Sequence, residues 1–318
     1  MEKERMVWIY KTMNQIRKFE EKALELFEAN KLRGSVHLYI GEEAIAATVC
    51  SNLTDDDYIA STHRGHGHCI AKGAKLNLAM AELMGKATGY CKGRGGSMHI
   101  ADISKGNLGA NAIVGGGIPI ATGGALALKL QGKKNISVAF FGDGASNEGT
   151  FHEALNMAAI WKLPIVFVCE NNMYGLTMPV KESTSVSDIA ERGAAYNIPG
   201  VVVDGNDVFA IDEAFQAAQK RALAGDGPSL IECKTYRWMG HWTGDPQVYR
   251  TREEVASWRE KCPIKRFRKY LLENGILSDA ELTEIEDAAT KEAADAAEFA
   301  MNSPEPDPAH VLDDVFAD

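Results

Sequence analysis

Between residues 4 and 29 the chain places Met6, Ile9, Met13, Ile16, Ala23 and Phe27 at three- and four-residue steps, the spacing of one face of a long amphipathic helix. Asn30 and Gly34 mark its end. The pattern dissolves from 85 to 117, where GKATGYCKGRGGSMHIADISKGNLGANAIVGGG is rich in glycine and has no period. A stretch too long for an ordinary connection reads as a functional loop. Downstream, apolar runs and helical periods alternate. GIPIATGGALALKLQG predicts a helix, NISVAFFG a strand, GTFHEALNMAAIWK a helix and LPIVFVCE a strand. A short helix near 187–196, a strand in PGVVVDG, a helix over 207–224 and a strand in PSLIECKTY follow. Strands that are apolar throughout and separated by helices predict a parallel sheet covered on both faces. The expected architecture is one α/β domain over 1–318: a doubly wound, mostly parallel sheet with helices on both faces, a helical extension at 1–34 and a charged helical extension at 251–318.

Composition narrows the function classes. With 318 residues, 45% hydrophobic and 25% charged, the chain can bury a sizeable core and has no bias towards disorder. A net charge of −10 and the lack of a Lys/Arg block speak against a nucleic-acid surface. The opening residues, MEKERMVWIYKTMNQ, mix charges of both signs and hold no apolar stretch of signal or membrane length. A cytoplasmic protein without membrane contact is the expectation. The six cysteines form no CxxC pair and several sit in apolar runs, so they read as reduced packing thiols.

Two of the expected strands end in chemistry-bearing residues. FFGDGASNEG puts Asp143 at the end of one, ENNMYG puts Asn172 at the end of the next, and a single helix lies between them. A right-handed βαβ crossover brings both side chains to the same carboxyl edge, where open α/β sheets bind ligands. Asp with Asn supplies hard oxygen donors suited to Mg²⁺ or Ca²⁺. Gly142 and Gly144 flank Asp143 and allow a bulky anion close to the backbone. The helix starting near Gly149 adds the positive end of its dipole. Either dipeptide alone is ordinary turn chemistry. Paired across one βαβ unit, they describe a metal ion bridging protein oxygens to a diphosphate.

GDGASNEG followed by ENNMYG resembles the thiamine diphosphate fingerprint, and HEALNMAAIWKLPIVFVCENNMYG is similar to the α-subunits of 2-oxoacid and acetoin dehydrogenase complexes. The likeness extends through HLYIGEEAI (37–45), STHRGHGH (61–68), GRGGSMH (93–99) and YRWMGHWTGDPQVYR (236–250). It implies that Asp143 and Asn172 ligate Mg²⁺ through side chains and Tyr174 through its carbonyl, with Gly142, Gly144 and Ala145 in the same cofactor-binding motif. Arg64 would hold the cofactor diphosphate, beside His63, which stands where relatives often have Tyr. Ala112 and Val114 in NAIVG match backbone positions that grip the aminopyrimidine. His241 matches an active-site histidine that also touches the cofactor, and His37 a second one at the entrance. An isolated His is more often a core or solvated residue than a catalytic one, so both assignments rest on the motifs.

The resemblance also implies partners. The glutamate that completes activation of the cofactor comes from a separate β-subunit, so the chain is expected to be inactive alone, to join an α₂β₂ heterotetramer and to serve a lipoyl-bearing acyltransferase. Glu42 and Glu43 in GEEA, the internal candidates for that glutamate, read instead as the start of a helix. GHWTGDPQVYR, with Trp242 where pyruvate-specific members often carry Ser, resembles the acetoin branch. The small-molecule substrate is then acetoin, cleaved with passage of an acetyl group to the acyltransferase; pyruvate and branched-chain 2-oxoacids remain alternatives. Ser183, Thr184 and Ser185 read as contact or flexible-loop residues, with a solvated loop favoured. Among other classes, a nicotinamide dehydrogenase is disfavoured because no strand leads into GGGIPIATGG and GxGxxG is absent. A silent scaffolding subunit would need none of Asp143, Asn172, Arg64 and His241.

Overall fold

The computed structural model describes residues 1–32, 34–313 and 315. Its strands are β1 (Tyr58–Ala60), β2 (Ser137–Gly142), β3 (Ile165–Asn171), the short hairpin β4 (Tyr174–Gly175) and β5 (Met178–Pro179), β6 (Gly200–Asp204) and β7 (Ser229–Lys234). Five of them form one sheet in the order β1-β2-β3-β7-β6, every neighbouring pair parallel. The helices are α1 (Lys3–Glu28), α2 (Glu43–Cys50), α3 (His66–Ala71), α4 (Leu76–Leu83), α5 (Gly117–Leu130), α6 (Gly149–Ile160), the single turn α7 (Val180–Ser183), α8 (Val208–Leu223), α9 (Arg252–Arg259), α10 (Pro263–Glu273) and α11 (Asp279–Asn302).

Side chains alternate across a strand, so each apolar run feeds two cores. Ala139, Phe141, Ile165, Phe167, Cys169 and Leu230 pack on one face with Ile118 and Ala125 of α5 and Phe151 and Leu155 of α6. Val138, Phe140, Val166, Val168, Ile231 and Cys233 face the opposite way, into a cluster shared with α1, α2 and α8. The sheet is therefore covered on both sides, which is why its strands carry no polar alternation. The chain moves from β2 to β3 through α6 on one face and from β6 to β7 through α8 on the other. That is the arrangement expected when crossovers keep one hand while the direction of travel along the sheet reverses.

Both terminal helical segments pack into this core. Ile9, Tyr10, Met13, Ile16, Phe19 and Ala23 of α1 are fully buried, and α11 lies against α1 and α4. Asn30 (φ 55) and Gly34 (φ 74) take the left-handed conformations that stop α1. Ser278 and Glu281 form a reciprocal capping box at the start of α11. Three differences from the sequence reading stand out. The edge strand β1 escapes a periodicity search because only three residues pair. The helices α2 to α4, in 43–83, lie in a stretch where the pattern had indicated no more than a helix start at GEEA. The segment expected as a short helix near 187–196 is a 3-10 helix over Ile189–Tyr196, which Asn197 (φ 57) turns sharply towards β6. None of the six cysteines is paired; five are buried and Cys91 is half-buried.

Candidate active site

Parallel strands end on one edge, and here four of them deliver polar residues to a single cavity of about 320 Å³. Ser61 to Arg64 follow β1, Asp143 to Ala145 follow β2, Glu170 and Asn172 close β3, and Arg237 and His241 follow β7. Glu42, just before α2, and Ile113 and Val114, at the end of the Gly-rich loop, complete the wall with Tyr174, Leu176 and Met178 of the β4–β5 hairpin.

Asp143 is buried, yet its Oδ2 has no hydrogen-bond partner. Burial pushes its carboxyl up to about 6. Asn172 donates through Nδ2 to both oxygens of Glu42 at 3.2 Å. In this orientation the amide nitrogen faces the Glu42 carboxyl. Oδ1 of Asn172 is thereby left buried and unpaired. Two orphaned oxygen acceptors in one cavity are costly unless something fills them. A hard divalent cation suits a carboxylate and an amide oxygen. The third expected donor, the Tyr174 carbonyl, accepts from Arg237 Nη1 at 3.1 Å and keeps one lone pair free. A Cβ at Gly142 would meet nothing within 4 Å, so this stretch of backbone borders open space, whereas one at Gly144 would press on Gly175 Cα at 3.2 Å. Ala145 lines the same wall. The residues present thus fit a Mg²⁺ ion and the diphosphate it would carry.

Arg64 is fixed in advance of any ligand: Nη1 donates to the Leu38 carbonyl at 2.8 Å and Nη2 to the His241 carbonyl at 3.1 Å. Its Nε lies 4.0 Å from Glu42. Arg237, buried beside it, faces the cavity as a second guanidinium. Sequence reasoning missed Arg237, although it follows an apolar strand at the same edge as Asp143 and Asn172.

Glu42 and Glu43 stand at the start of α2, as GEEA predicted, and both are buried. Glu43 opens α2, but its carboxylate is buried and accepts from Arg17 Nε at 2.6 Å and Gly41 N–H at 3.1 Å. Glu42 is fully buried against Asn172, and burial, with Glu170 beside it, pushes its carboxyl up to about 8. A signal for this existed: EAIAATVC is apolar all round, the mark of a buried helix. Glu170, also missed, accepts from His68 at 3.0 Å and from the Tyr39 hydroxyl.

His37, His63 and His241 come together although they lie far apart in sequence. Their ring centroids are 4.9, 5.1 and 5.3 Å apart. Burial, reinforced by Arg64, lowers the three rings to about 3, 2 and 4 respectively, so all are neutral at pH 7. Nδ1 of both His37 and His241 is buried without a partner. The His241 N–H donates to Asp245 Oδ2 at 2.6 Å, which pins the loop. Val114 lines the cavity and Ala112 does not. Ser183, expected in a solvated loop, also lines it. Trp242 does not; its ring covers Gly244, where a Cβ would come within 2.3 Å.

Residues 11–309 match the family described as Dehydrogenase E1 component. The chain is 54% identical over 315 residues to the α subunit of acetoin:2,6-dichlorophenolindophenol oxidoreductase from Bacillus subtilis, covering 98% of this chain and 94% of that protein. It is 45% identical over 317 residues to the same subunit from Cupriavidus necator, covering 99% and 95%. The α subunit of the pyruvate dehydrogenase E1 component from Porphyra purpurea is 41% identical over 323 residues, covering 99% and 94%.

Proposed function

The chain belongs to the Dehydrogenase E1 component family, and from that premise we propose that it is the α subunit of a thiamine diphosphate- and Mg²⁺-dependent acetoin dehydrogenase. The observation that carries the substrate is the 54% identity, nearly end to end, with an acetoin oxidoreductase α subunit. Pyruvate is the second reading, favoured by the 41% identity to a pyruvate dehydrogenase subunit.

In this reading Asp143, Asn172 and the Tyr174 carbonyl would hold the metal, Arg64 and Arg237 would hold the diphosphate, and the backbone at Val114 would face the pyrimidine, with Ala112 just behind the cavity wall. Gly142 leaves room along the wall, Gly144 lets the Gly175 backbone approach, and Ala145 lines the same wall. The cofactor, when bound, supplies a carbon nucleophile and a sink for the electrons of the broken carbon–carbon bond. The chain's own side chains handle the rest. Acetoin is a neutral hydroxyketone, and releasing acetaldehyde from it requires its hydroxyl proton to leave as the new carbonyl forms. Pyruvate releases CO₂ and needs no such base. His241 and His37, neutral and with unpaired Nδ1 atoms, supply lone pairs for that proton. His63 completes the uncharged mouth. Replacing His241 with Ala then lowers turnover by about 10²–10⁴-fold while leaving the thermal melt close to wild type; unchanged turnover would reduce His241 to a structural residue.

Large apolar side chains stand exposed around the cavity: Ile113 at 71%, Leu176 at 55%, Met178 at 48% and Val114 at 46%. Their exposure supports a site completed by a second chain, a β subunit in an α₂β₂ assembly, with a lipoyl-bearing acyltransferase receiving the acetyl group. No helix among the described residues is long and apolar enough to cross a membrane, and we place the enzyme in the cytoplasm, without a nucleic-acid partner.

The test is dye-linked oxidation of acetoin, pyruvate and a branched-chain 2-oxoacid by the chain co-expressed with its β partner, with thiamine diphosphate and Mg²⁺. The reading expects the highest kcat/KM for acetoin. A higher value for pyruvate would reassign the substrate.

A further inference from the structure

We propose that His37, His63 and His241 form a binding site for a divalent transition-metal ion of the zinc type, distinct from the oxygen-donor site at Asp143 and Asn172. One ring nitrogen from each of the three lies within 4.8 Å of those of the other two. Three imidazoles around tetrahedral zinc, with Zn–N bonds of about 2.0–2.1 Å, place their nitrogens about 3.3–3.4 Å apart. The rings therefore need to close by at most roughly 1.5 Å at the widest pair. All three sit in segments outside regular helix or strand, where that movement breaks no ladder.

The chemistry of the donors agrees. Zinc ligation requires neutral imidazole, and all three rings are neutral at pH 7. Nδ1 of His37 and of His241 is buried with no partner to give up on ligation. Imidazole selects zinc, copper or nickel over Mg²⁺, while the carboxylate and amide oxygens across the cavity select the reverse, so the two sites sort their ions by donor type. Arg64 and Arg237 oppose a cation here, and the diphosphate of the proposed function would offset part of that charge. Three protein ligands leave a fourth position open to the cavity, as in sites that also take a small oxygen ligand. Occupancy would engage the lone pairs that the proposed function assigns to acetoin, making zinc a reversible inhibitor; that consequence, like the offset of the arginine charge, rests on the proposed function.

The experiment uses the co-expressed assembly with thiamine diphosphate and excess Mg²⁺, titrated with Zn²⁺ by calorimetry and with Co²⁺ by visible absorption. The expected result is one Zn²⁺ per copy of this chain and the intense Co²⁺ bands of four- or five-coordinate geometry. His37→Gln and His63→Gln should each weaken binding by more than about tenfold, with circular dichroism melts confirming that both fold. His152→Gln, at an exposed ring bonded to Tyr196, should leave binding unchanged. Absence of a stoichiometric site, or a site insensitive to both triad substitutions, overturns the proposal. Neither outcome alters which substrate the dye-linked assay prefers, so failure here is separable from failure of the acetoin reading.

Discussion

Asn172 presents an unpaired oxygen to the cavity only because Glu42 holds the other end of its amide. Glu42→Ala should therefore weaken Mg²⁺-dependent cofactor binding by about 10–100-fold, the usual cost of losing the partner that orients a metal ligand. Glu42→Gln keeps an acceptor oxygen and should retain most of the affinity; equal losses in the two variants would remove Glu42 from that role. Asp143 gives a pH signature. Its carboxyl is held up near 6 by burial, so a proton competes with the metal from about pH 6 downward, where an ordinary aspartate would compete only near 4. Mg²⁺ affinity, measured by titration between pH 3.5 and 7, should fall as pH drops through 6; an onset near 4 would contradict the burial argument. The shared sheet edge of Asp143 and Asn172 was legible from strand ends, because it follows from chain order in a parallel sheet, whereas Arg64 and His241 were named from the resemblance of their motifs alone. Glu42, Glu170 and Arg237 were not legible, because their importance comes from which side chains they meet across the cavity.

At the scale of elements, the Gly-rich loop is organised by one buried carboxylate. Glu82, at the end of α4, accepts from the N–H groups of Cys91 and Gly93 through Oε2 at 2.7 and 3.0 Å, and from Gly95 and Gly96 through Oε1 at 2.7 and 3.0 Å. Gly89 packs so closely that a Cβ there would come within 2.3 Å of the same carboxylate. Glu82→Ala should leave these N–H groups short of an acceptor, at about 1–3 kcal/mol for each that stays buried. The measurable result is a lower melting temperature and faster tryptic cleavage at Lys92 and Arg94. Cleavage at the wild-type rate would show that the loop is held by other contacts. The loop was recognisable from its glycines, but its anchor was not, since Glu82 reads locally as one polar residue on an apolar helix. The strands β2, β3, β6 and β7 were legible as apolar runs closed by turn residues. The three-residue β1 was not, because tertiary pairing alone defines it.

For the whole molecule, the doubly wound sheet followed from the alternation of apolar runs with helical periods, whereas the depth to which α1 is embedded in the core did not. The exposed apolar rim of the cavity makes the chain half of a working site in this account. The chain alone should show no dye-linked acetoin oxidation, and Ile113→Asp should weaken assembly with the β partner, read by size-exclusion chromatography with light scattering. Activity without the partner would overturn the shared site. The most direct test of the central claim is calorimetric titration of the co-expressed assembly with thiamine diphosphate, with and without Mg²⁺, for wild type and Asp143→Ala. The account predicts tight binding only for wild type with Mg²⁺, and loss of that metal dependence in the variant without a fall in melting temperature; equal, Mg²⁺-dependent affinity in both proteins would contradict it.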